Sequence, residues 1–230
     1  MSRSLSTLHR PCRRQKGAQR GFSLIELVVV VIIIAILAVI AIPSITRRMR
    51  DRRTAQAAEK VSNIFRGGRM RAMGRGAAVL VRFDASTNPE GSLTVQEAVR
   101  GSAVTDANCK RLPSASCTLT DWTTPVGNTV AGNVLVSSFA PPAQGQYLDT
   151  YITLQGDAAH AGAQQQMDLC FTPLGRAFVR YNQTGTFTPL AGVPVAEVYR
   201  KTGSAISGLV RTVMILPNGS TRLGTAKVAP

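Results

Sequence analysis

The sequence predicts an α+β protein in which a long N-terminal helix, transmembrane over its first half, packs on an antiparallel β-sheet domain. Three observations carry this prediction. An uninterrupted apolar run covers residues 27–42. Beyond it, apolar residues recur every three or four positions as far as Ala72, which is the period of an amphipathic helix. After residue 76 that period is lost, and short alternating segments between turn signals indicate strands.

A basic segment, residues 1–21, precedes the apolar run. It contains no acidic residue and six basic ones: Arg3, Arg10, Arg13, Arg14, Lys16 and Arg20. The whole chain of 230 residues has a formal net charge of +15. A balance this basic favours anionic lipid, nucleic acid or acidic neighbours in an assembly as partners.

The stretch from Phe22 to Ile42 is long enough to cross a membrane. At about 1.5 Å per residue, a helix of this length spans roughly 30 Å, the thickness of the hydrocarbon core. A secretory signal peptide would be cut after its apolar region at small residues, but here a charged helical pattern follows Pro43. The alternatives are an ordinary single-pass anchor and a twin-arginine export signal at Arg13-Arg14, and the length of the run disfavours the latter. The one charge within the stretch, Glu26, indicates a functional residue because charge in hydrocarbon is costly.

The segment Gly21-Phe22-Ser23-Leu24-Ile25-Glu26-Leu27, placed after a short basic leader, resembles the processing site of type IV prepilins and type II secretion pseudopilins. The resemblance implies that a prepilin peptidase cuts between Gly21 and Phe22 and that Phe22 is N-methylated. It also implies an assembly role for Glu26, whose carboxylate can pair with the new α-amino group of its own chain or of a neighbour and so set the register between subunits. Pro43 matches a proline that the family often has in this helix. The GspH/FimT-like minor subunits are the most similar subgroup in general plan.

Four segments follow from this reading. Residues 1–21 are a leader that is removed, 22–43 a transmembrane and assembly helix, 44–74 its amphipathic continuation, and 75–230 a β-rich domain. Positive charge flanks both ends of the apolar run, so the resemblance decides the orientation. It implies a single pass of the inner membrane with the leader cytoplasmic and the domain periplasmic, followed by assembly into a filament. The implied partners are other pilins or pseudopilins, the prepilin peptidase, membrane lipid, and secreted cargo or DNA.

The amphipathic continuation predicts which helix residues face the domain. The pair Gly67-Gly68 lies within the pattern and predicts close packing against another helix, and Gly74 to Gly76 read as the end of the helix. The predicted apolar stripe consists of Met49, Thr54, Ala57, Ala58, Val61, Ile64, Phe65, Gly68 and Ala72.

Nine strands are predicted in the domain, and turn signals separate several of them. The clearest is Leu216-Pro217-Asn218-Gly219-Ser220, a hairpin signal. Residues 101–132, rich in Ser, Thr, Asn, Gly and Pro, predict a long loop or insertion. The predicted strands are Ala77–Asp84, Ser92–Val99, Asn133–Phe139, Gln146–Leu154, Met167–Phe171, Arg176–Tyr181, Val193–Arg200, Leu209–Leu216 and Thr221–Val228.

Cysteine, histidine and aspartate residues give no catalytic or metal-binding pattern. Cys109 and Cys117 form a candidate disulfide, which would leave Cys170 as a buried thiol. There are only two histidines, and no Cys/His grouping has metal-ligand spacing. We therefore expect no cofactor, no metal and no enzyme activity. The acids Asp149, Asp157 and Asp168 are expected at the surface or in turns.

The function predicted from the resemblance is that of a minor pseudopilin, a structural subunit of a type II secretion pseudopilus. The alternative is a minor pilin of a type IV pilus that binds DNA for uptake, since FimT-like subunits as a group are linked to DNA capture. Candidate nucleic-acid contacts are Arg176, Arg180 and Arg222. The family's glycine-arginine-any-arginine motif is only partly present, because Gly219 to Arg222 contains one of its two arginines, and this departure weighs against DNA binding.

Overall fold

The computed structural model describes residues 22–100, 112–123, 132–141 and 145–227. The chain forms two compact units, and the boundary between them lies between Thr46 and Arg47. Helix α1, Leu24–Arg75, begins in the first unit and ends in the second. Antiparallel strands follow it, which confirms the predicted α+β class.

The first unit, over its described residues, is the N-terminal part of α1. Its described side chains are exposed, apart from the half-buried Ala38. Valine and isoleucine dominate this stretch and prefer strands in water. In hydrocarbon, however, a single segment must satisfy its own backbone hydrogen bonds, and a helix does so.

The second unit contains the end of α1 and all of the strands. All nine predicted strands are present, with ends shifted by a few residues, and three two-residue strands join them. Their bounds are β1 Val79–Asp84, β2 Ser92–Arg100, β3 Leu112–Pro113, β4 Gly132–Phe139, β5 Thr150–Gln155, β6 Ala163–Gln164, β7 Gln166–Phe171, β8 Ala177–Arg180, β9 Thr188–Pro189, β10 Val195–Thr202, β11 Ala205–Ile215 and β12 Thr221–Lys227. A 3₁₀ helix, Ala158–His160, precedes β6.

The strands form two antiparallel sheets. The first has the order β3-β2-β1-β7-β8-β9, with β4 also paired to β2. The second has the order β12-β11-β10-β5-β6. The predicted hairpin joins β11 to β12, where the Gly219 amide donates to the Leu216 carbonyl at 2.7 Å and Gly219 has φ 73°. Glycine adopts this left-handed conformation without the steric cost that other residues carry.

The main core lies where α1 meets both sheets. Ala57, Val61 and Phe65 are fully buried there with residues of both sheets, as the apolar stripe predicts. Met49 is an exception, because half of its side chain remains exposed. Gly68 packs closely, but against a sheet: a Cβ at this position would lie 2.8 Å from Val81 Cγ2. The expected packing against another helix is therefore wrong for Gly68.

A smaller core covers the opposite face of the first sheet. Residues 114–123 lie over β1, β2 and β7, and the buried residues there include Leu80, Cys117, Trp122 and Cys170. The predicted loop over 101–132 is thus wrong in part, since residues 112–123 contain β3 and this packed cover. Residues 101–111 and 124–131 lie outside the described residues.

Candidate functional site

The candidate site is the N-terminal turn of α1, which begins with a serine cap. The amide of Glu26 donates to Ser23 Oγ at 3.3 Å, and the amide of Leu27 donates to the Ser23 carbonyl at 3.2 Å. Serine is among the preferred N-cap residues, and Ser-x-x-Glu is the sequence of a capping box. The cap starts the helix two residues after the predicted cut. Phe22 precedes the cap with 79% of its surface exposed, and Gly21 lies outside the described residues.

Glu26 lies in the first turn of α1 and is exposed. The N-terminal end of a helix carries a partial positive charge, so a carboxylate here stabilises the helix start. A protonated α-amine at Phe22 would sit at the same positive end, where a cation is unfavourable without a nearby acid. The turn therefore places an acid where an amine at residue 22 needs one.

The side chains that follow form a continuous exposed apolar surface. Leu24, Ile36 and Ile40 are 82%, 58% and 71% exposed, and the valines and leucines between them are exposed as well. Soluble monomers rarely expose a contiguous apolar area of this extent. Among the described residues, α1 is the one helix long and apolar enough to cross a membrane.

The candidate nucleic-acid contacts lie in different surroundings. Arg180 donates from Nε to Asp168 Oδ2 at 2.8 Å and stacks on Phe187 at 4.4 Å. Its charge is balanced inside the protein, which weighs against a phosphate contact at this residue. Arg176 is exposed and lines a groove of about 420 Å³ with Arg69. Arg222 is exposed on β12.

The cysteine prediction is wrong. A disulfide joins Cys117 to Cys170, with 6.0 Å between their Cα atoms. Cys117 is therefore not available to Cys109, and Cys170 is not a thiol. The bond ties the covering segment to β7, a contact over 53 residues that spacing in the sequence does not reveal. Cys109 itself lies outside the described residues.

Asp168 is a buried, paired acid that the sequence analysis did not predict. It was expected at the surface or in a turn, but it lies in the middle of β7 and is 1% exposed. Arg82 donates to it twice, from Nε to Oδ1 at 2.7 Å and from Nη2 to Oδ2 at 2.9 Å, and Arg180 donates from the other side. The available signal was an acid inside the apolar segment Met167-Asp168-Leu169-Cys170-Phe171, because a buried charge needs a partner.

Asp157 is also buried, whereas Asp149 is exposed in a turn, as expected. The Asp157 carboxylate caps the 3₁₀ helix by accepting from the amides of Ala159 and His160, and its Oδ1 lies 3.1 Å from His160 Nδ1. Burial acts to raise the pKa of Asp157, but the bonds from His160 and Ala159 outweigh it, so the pKa lies below its usual value. The imidazole stacks on Tyr181 at 4.2 Å, and the group as a whole anchors a turn.

Metal-ion chemistry has no support in this part of the chain. Within the described ranges, no group of three or more His, Cys, Asp or Glu side chains is placed to hold an ion. The charged clusters that do occur there, around Asp168, Glu97 and Asp157, are internal ion pairs and caps.

Comparison with known proteins gives a family match, and it covers the N-terminal turn of α1. Residues 13–42 match the prokaryotic N-terminal methylation motif. No curated protein and no solved structure matches the chain significantly. The matched range contains Gly21, Phe22, Glu26 and the whole apolar run. Pilin-type proteins that carry this motif are structural subunits and are generally not enzymes. The motif and the exposed apolar helix that it opens support membership of the type IV pilin and pseudopilin-like family.

Proposed function

We propose that this chain is a minor pseudopilin of the GspH/FimT-like kind, a structural subunit of a type II secretion pseudopilus. The prepilin peptidase cuts it between Gly21 and Phe22, and Phe22 is N-methylated. Residues 22–43 hold it in the inner membrane, with the domain on the periplasmic side, until it joins the filament. The observation that carries the proposal is the match of residues 13–42 to the N-terminal methylation motif.

The capped turn suggests how the processed end works. Cleavage leaves an α-amine one residue before the Ser23 cap, at the positive end of the helix dipole. Glu26 neutralises that amine within its own chain or across to a neighbour. An unpaired carboxylate is expensive in hydrocarbon, so a subunit lacks a low-energy position in the bundle until the pair forms. Pairing between chains thereby sets the axial register, as buried polar residues do in coiled coils.

The disulfide supports the periplasmic placement of the domain. Disulfides persist in oxidising compartments and are rare in the cytosol. Cys117 and Cys170 are both buried and joined. A domain folded outside the cytoplasmic membrane can form this bond, while the leader remains on the other side.

Cleavage is tested by intact mass after expression with and without a prepilin peptidase. The wild-type chain should lose the mass of residues 1–21 and gain that of one methyl group. Gly21→Val should stay uncut because the side chain crowds the scissile bond. Gly17→Val, in the same leader, is the matched control and should be processed normally. Processing of Gly21→Val at the wild-type position, or a wild-type chain that keeps its leader, would contradict the proposal.

Assembly is tested with Glu26→Gln, which keeps the shape of the side chain and removes its charge. We expect normal cleavage and much reduced incorporation into filaments, measured in the sheared fraction. Glu59→Gln, an exposed acid on the same helix, is the control and should assemble normally. Wild-type incorporation of Glu26→Gln would show that the charge does not set the register.

The second candidate is a minor pilin of a type IV pilus that binds DNA. The observation that favours it is the groove shared by Arg69 and Arg176, whose described lining contains no acid. Arg69 Nε is buried there without a hydrogen-bond acceptor among the described residues, so a phosphate oxygen could serve as one. Affinity carried by phosphate contacts falls steeply with salt. Duplex DNA should therefore bind the detergent-solubilised full chain in a salt-sensitive way, and Arg176→Gln should weaken that binding more than Arg66→Gln.

Deletion of the gene separates the two systems. Proteins released into the medium and surface pili are counted in the same cultures. Loss of secreted proteins with pili intact supports the pseudopilin. Intact secretion with fewer pili or less DNA uptake supports the minor pilin.

A further inference from the structure

A small pocket in the second unit is lined by three arginines from two distant parts of the chain. Arg50 and Arg53 come from the first turns of α1 in this unit, and Arg200 comes from β10. Leu148, Asp149 and Thr150 complete its wall, and its volume is about 220 Å³. The pocket lies where the helix enters the unit.

The positive charge of this pocket is only partly balanced by the protein. Asp149 is the one acid in its lining, and no ion pair joins any of the three arginines to an acid among the described residues. Asp51 lies nearby, with its Oδ1 against Gly208, close to Arg200 Nη2. Three guanidinium groups with one carboxylate in the lining leave a net positive charge, so the arrangement favours an anion.

Arg200 gives the most specific sign of such an anion. Its Nε is buried and has no hydrogen-bond acceptor among the described residues. Native proteins satisfy nearly all buried donors, and an exception calls for an unseen ion or water. Arginine binds phosphate through two parallel N–H groups, and Arg200 lines this pocket with an N–H still to be satisfied.

The position of the pocket in the chain and its apolar rim indicate where the phosphate comes from. Arg50 follows Ile42, the last residue of the apolar run, by eight residues in the sequence. Leu148 on the pocket wall is 62% exposed. Arginine side chains near the end of a membrane helix place their charge at the membrane–water interface.

We propose that Arg50, Arg53 and Arg200 bind the phosphate of an anionic phospholipid headgroup while the subunit is still in the membrane. The site holds the domain against the headgroup layer and is vacated when the subunit leaves the bilayer for a filament. This inference rests on the proposed membrane anchoring of residues 22–43 and adds a lipid site in the folded domain, separate from the helix that anchors it.

The test measures lipid binding to the full chain by native mass spectrometry in detergent, with phosphatidylglycerol and phosphatidylcholine as the two probes. The wild-type chain should retain phosphatidylglycerol in preference to phosphatidylcholine. Arg50→Gln with Arg53→Gln should weaken this by about tenfold or more for each arginine removed, the loss expected for a hydrogen bond to a charged group. Arg48→Gln with Arg52→Gln is the matched control, since it removes the same charge from exposed residues of the same segment that do not line the pocket. Arg200→Gln, made on a strand, provides a variant outside the helix.

The outcomes separate a pocket from general attraction. Loss in the pocket variants with an unchanged control supports the inference. Equal loss of lipid binding in both double variants would mean diffuse attraction and would overturn the inference. Displacement of the lipid by inorganic phosphate at equal concentration would also overturn it. So would a preference of the chain for duplex DNA over the lipid. Retention of wild type in lipid nanodiscs reports on anchoring separately. A retained chain without lipid preference refutes this inference alone, whereas a chain that fails to insert refutes the proposed anchoring.

Discussion

Removal of the Cys117–Cys170 disulfide should cost this protein a large part of its stability. The perturbation is Cys117→Ala with Cys170→Ala, because both positions are buried and alanine leaves no unsatisfied hydroxyl. The bond spans 53 residues. Loop-closure entropy over that length gives about 4 kcal/mol at 25 °C, which is a substantial fraction of the 5–15 kcal/mol typical of a domain.

The single tryptophan makes the assay unusually direct. Trp122 is 3% exposed and donates from Nε1 to the Cys117 carbonyl at 2.8 Å, so its fluorescence reports on the segment that the disulfide holds. Urea unfolding of the detergent-solubilised chain is followed by this fluorescence and by far-ultraviolet circular dichroism. We expect both transitions to move together to lower urea, because the segment covers the centre of the first sheet.

Cys109→Ala is the matched control and distinguishes the two pairings. A Cys109–Cys117 bond would close only eight residues and contribute about 2.5 kcal/mol. Loss of stability in Cys109→Ala but not in Cys170→Ala would therefore refute the Cys117–Cys170 bond. A fluorescence transition that moves while circular dichroism does not would refute the argument that the bond stabilises the whole domain.

Three further predictions concern the core and its charges. Gly68→Ala should destabilise the domain by about 1–3 kcal/mol because the new methyl group overpacks against Val81. Its control, Gly67→Ala, has open space at its Cβ and should stabilise the domain by up to about 1 kcal/mol. Urea midpoints that shift in the same direction in both variants would contradict this. Asp168→Ala should cost about 3–5 kcal/mol because it leaves Arg82 and Arg180 buried without their acid, while the exposed control Glu59→Ala should change the midpoint little. The pKa of Asp157 is lowered in the folded state, so its contribution to the free energy of unfolding is present above the ordinary aspartate pKa and is lost as pH falls through the folded value. Asp157→Ala should therefore remove about 1 kcal/mol of stability at neutral pH and flatten the acid side of the curve of stability against pH. An unchanged curve would contradict the capping role.

The sequence predicted the elements well because their signals are local. An uninterrupted apolar run, a helical period to Ala72 and alternation in the strands are each set within about a dozen residues. The processing turn is local in the same sense. The cap by Ser23 and the place of Glu26 in the first turn depend on residues three positions apart.

Features that depend on distant pairs were predicted poorly. Asp168 was predicted to lie at the surface or in a turn, and this prediction is wrong. Its partners Arg82 and Arg180 stabilise the buried carboxylate, and they approach it only when β7 pairs with β1 and β8. The same pairings give Arg180 an internal partner, which weighs against a phosphate contact there. The apolar neighbours of Asp168 in the sequence indicate burial, but they do not indicate which arginines will reach it.

By itself, the sequence determined a long apolar helix behind a basic leader, its amphipathic continuation and nine strands, because hydrophobic period and turn chemistry act over short range. Only the tertiary structure decided the order of strands in two sheets, the partner of Cys117 and the pocket shared by Arg50, Arg53 and Arg200. These depend on contacts between residues tens to more than a hundred positions apart. Such contacts form when the chain buries its apolar faces as a whole, and local sequence does not encode which faces meet.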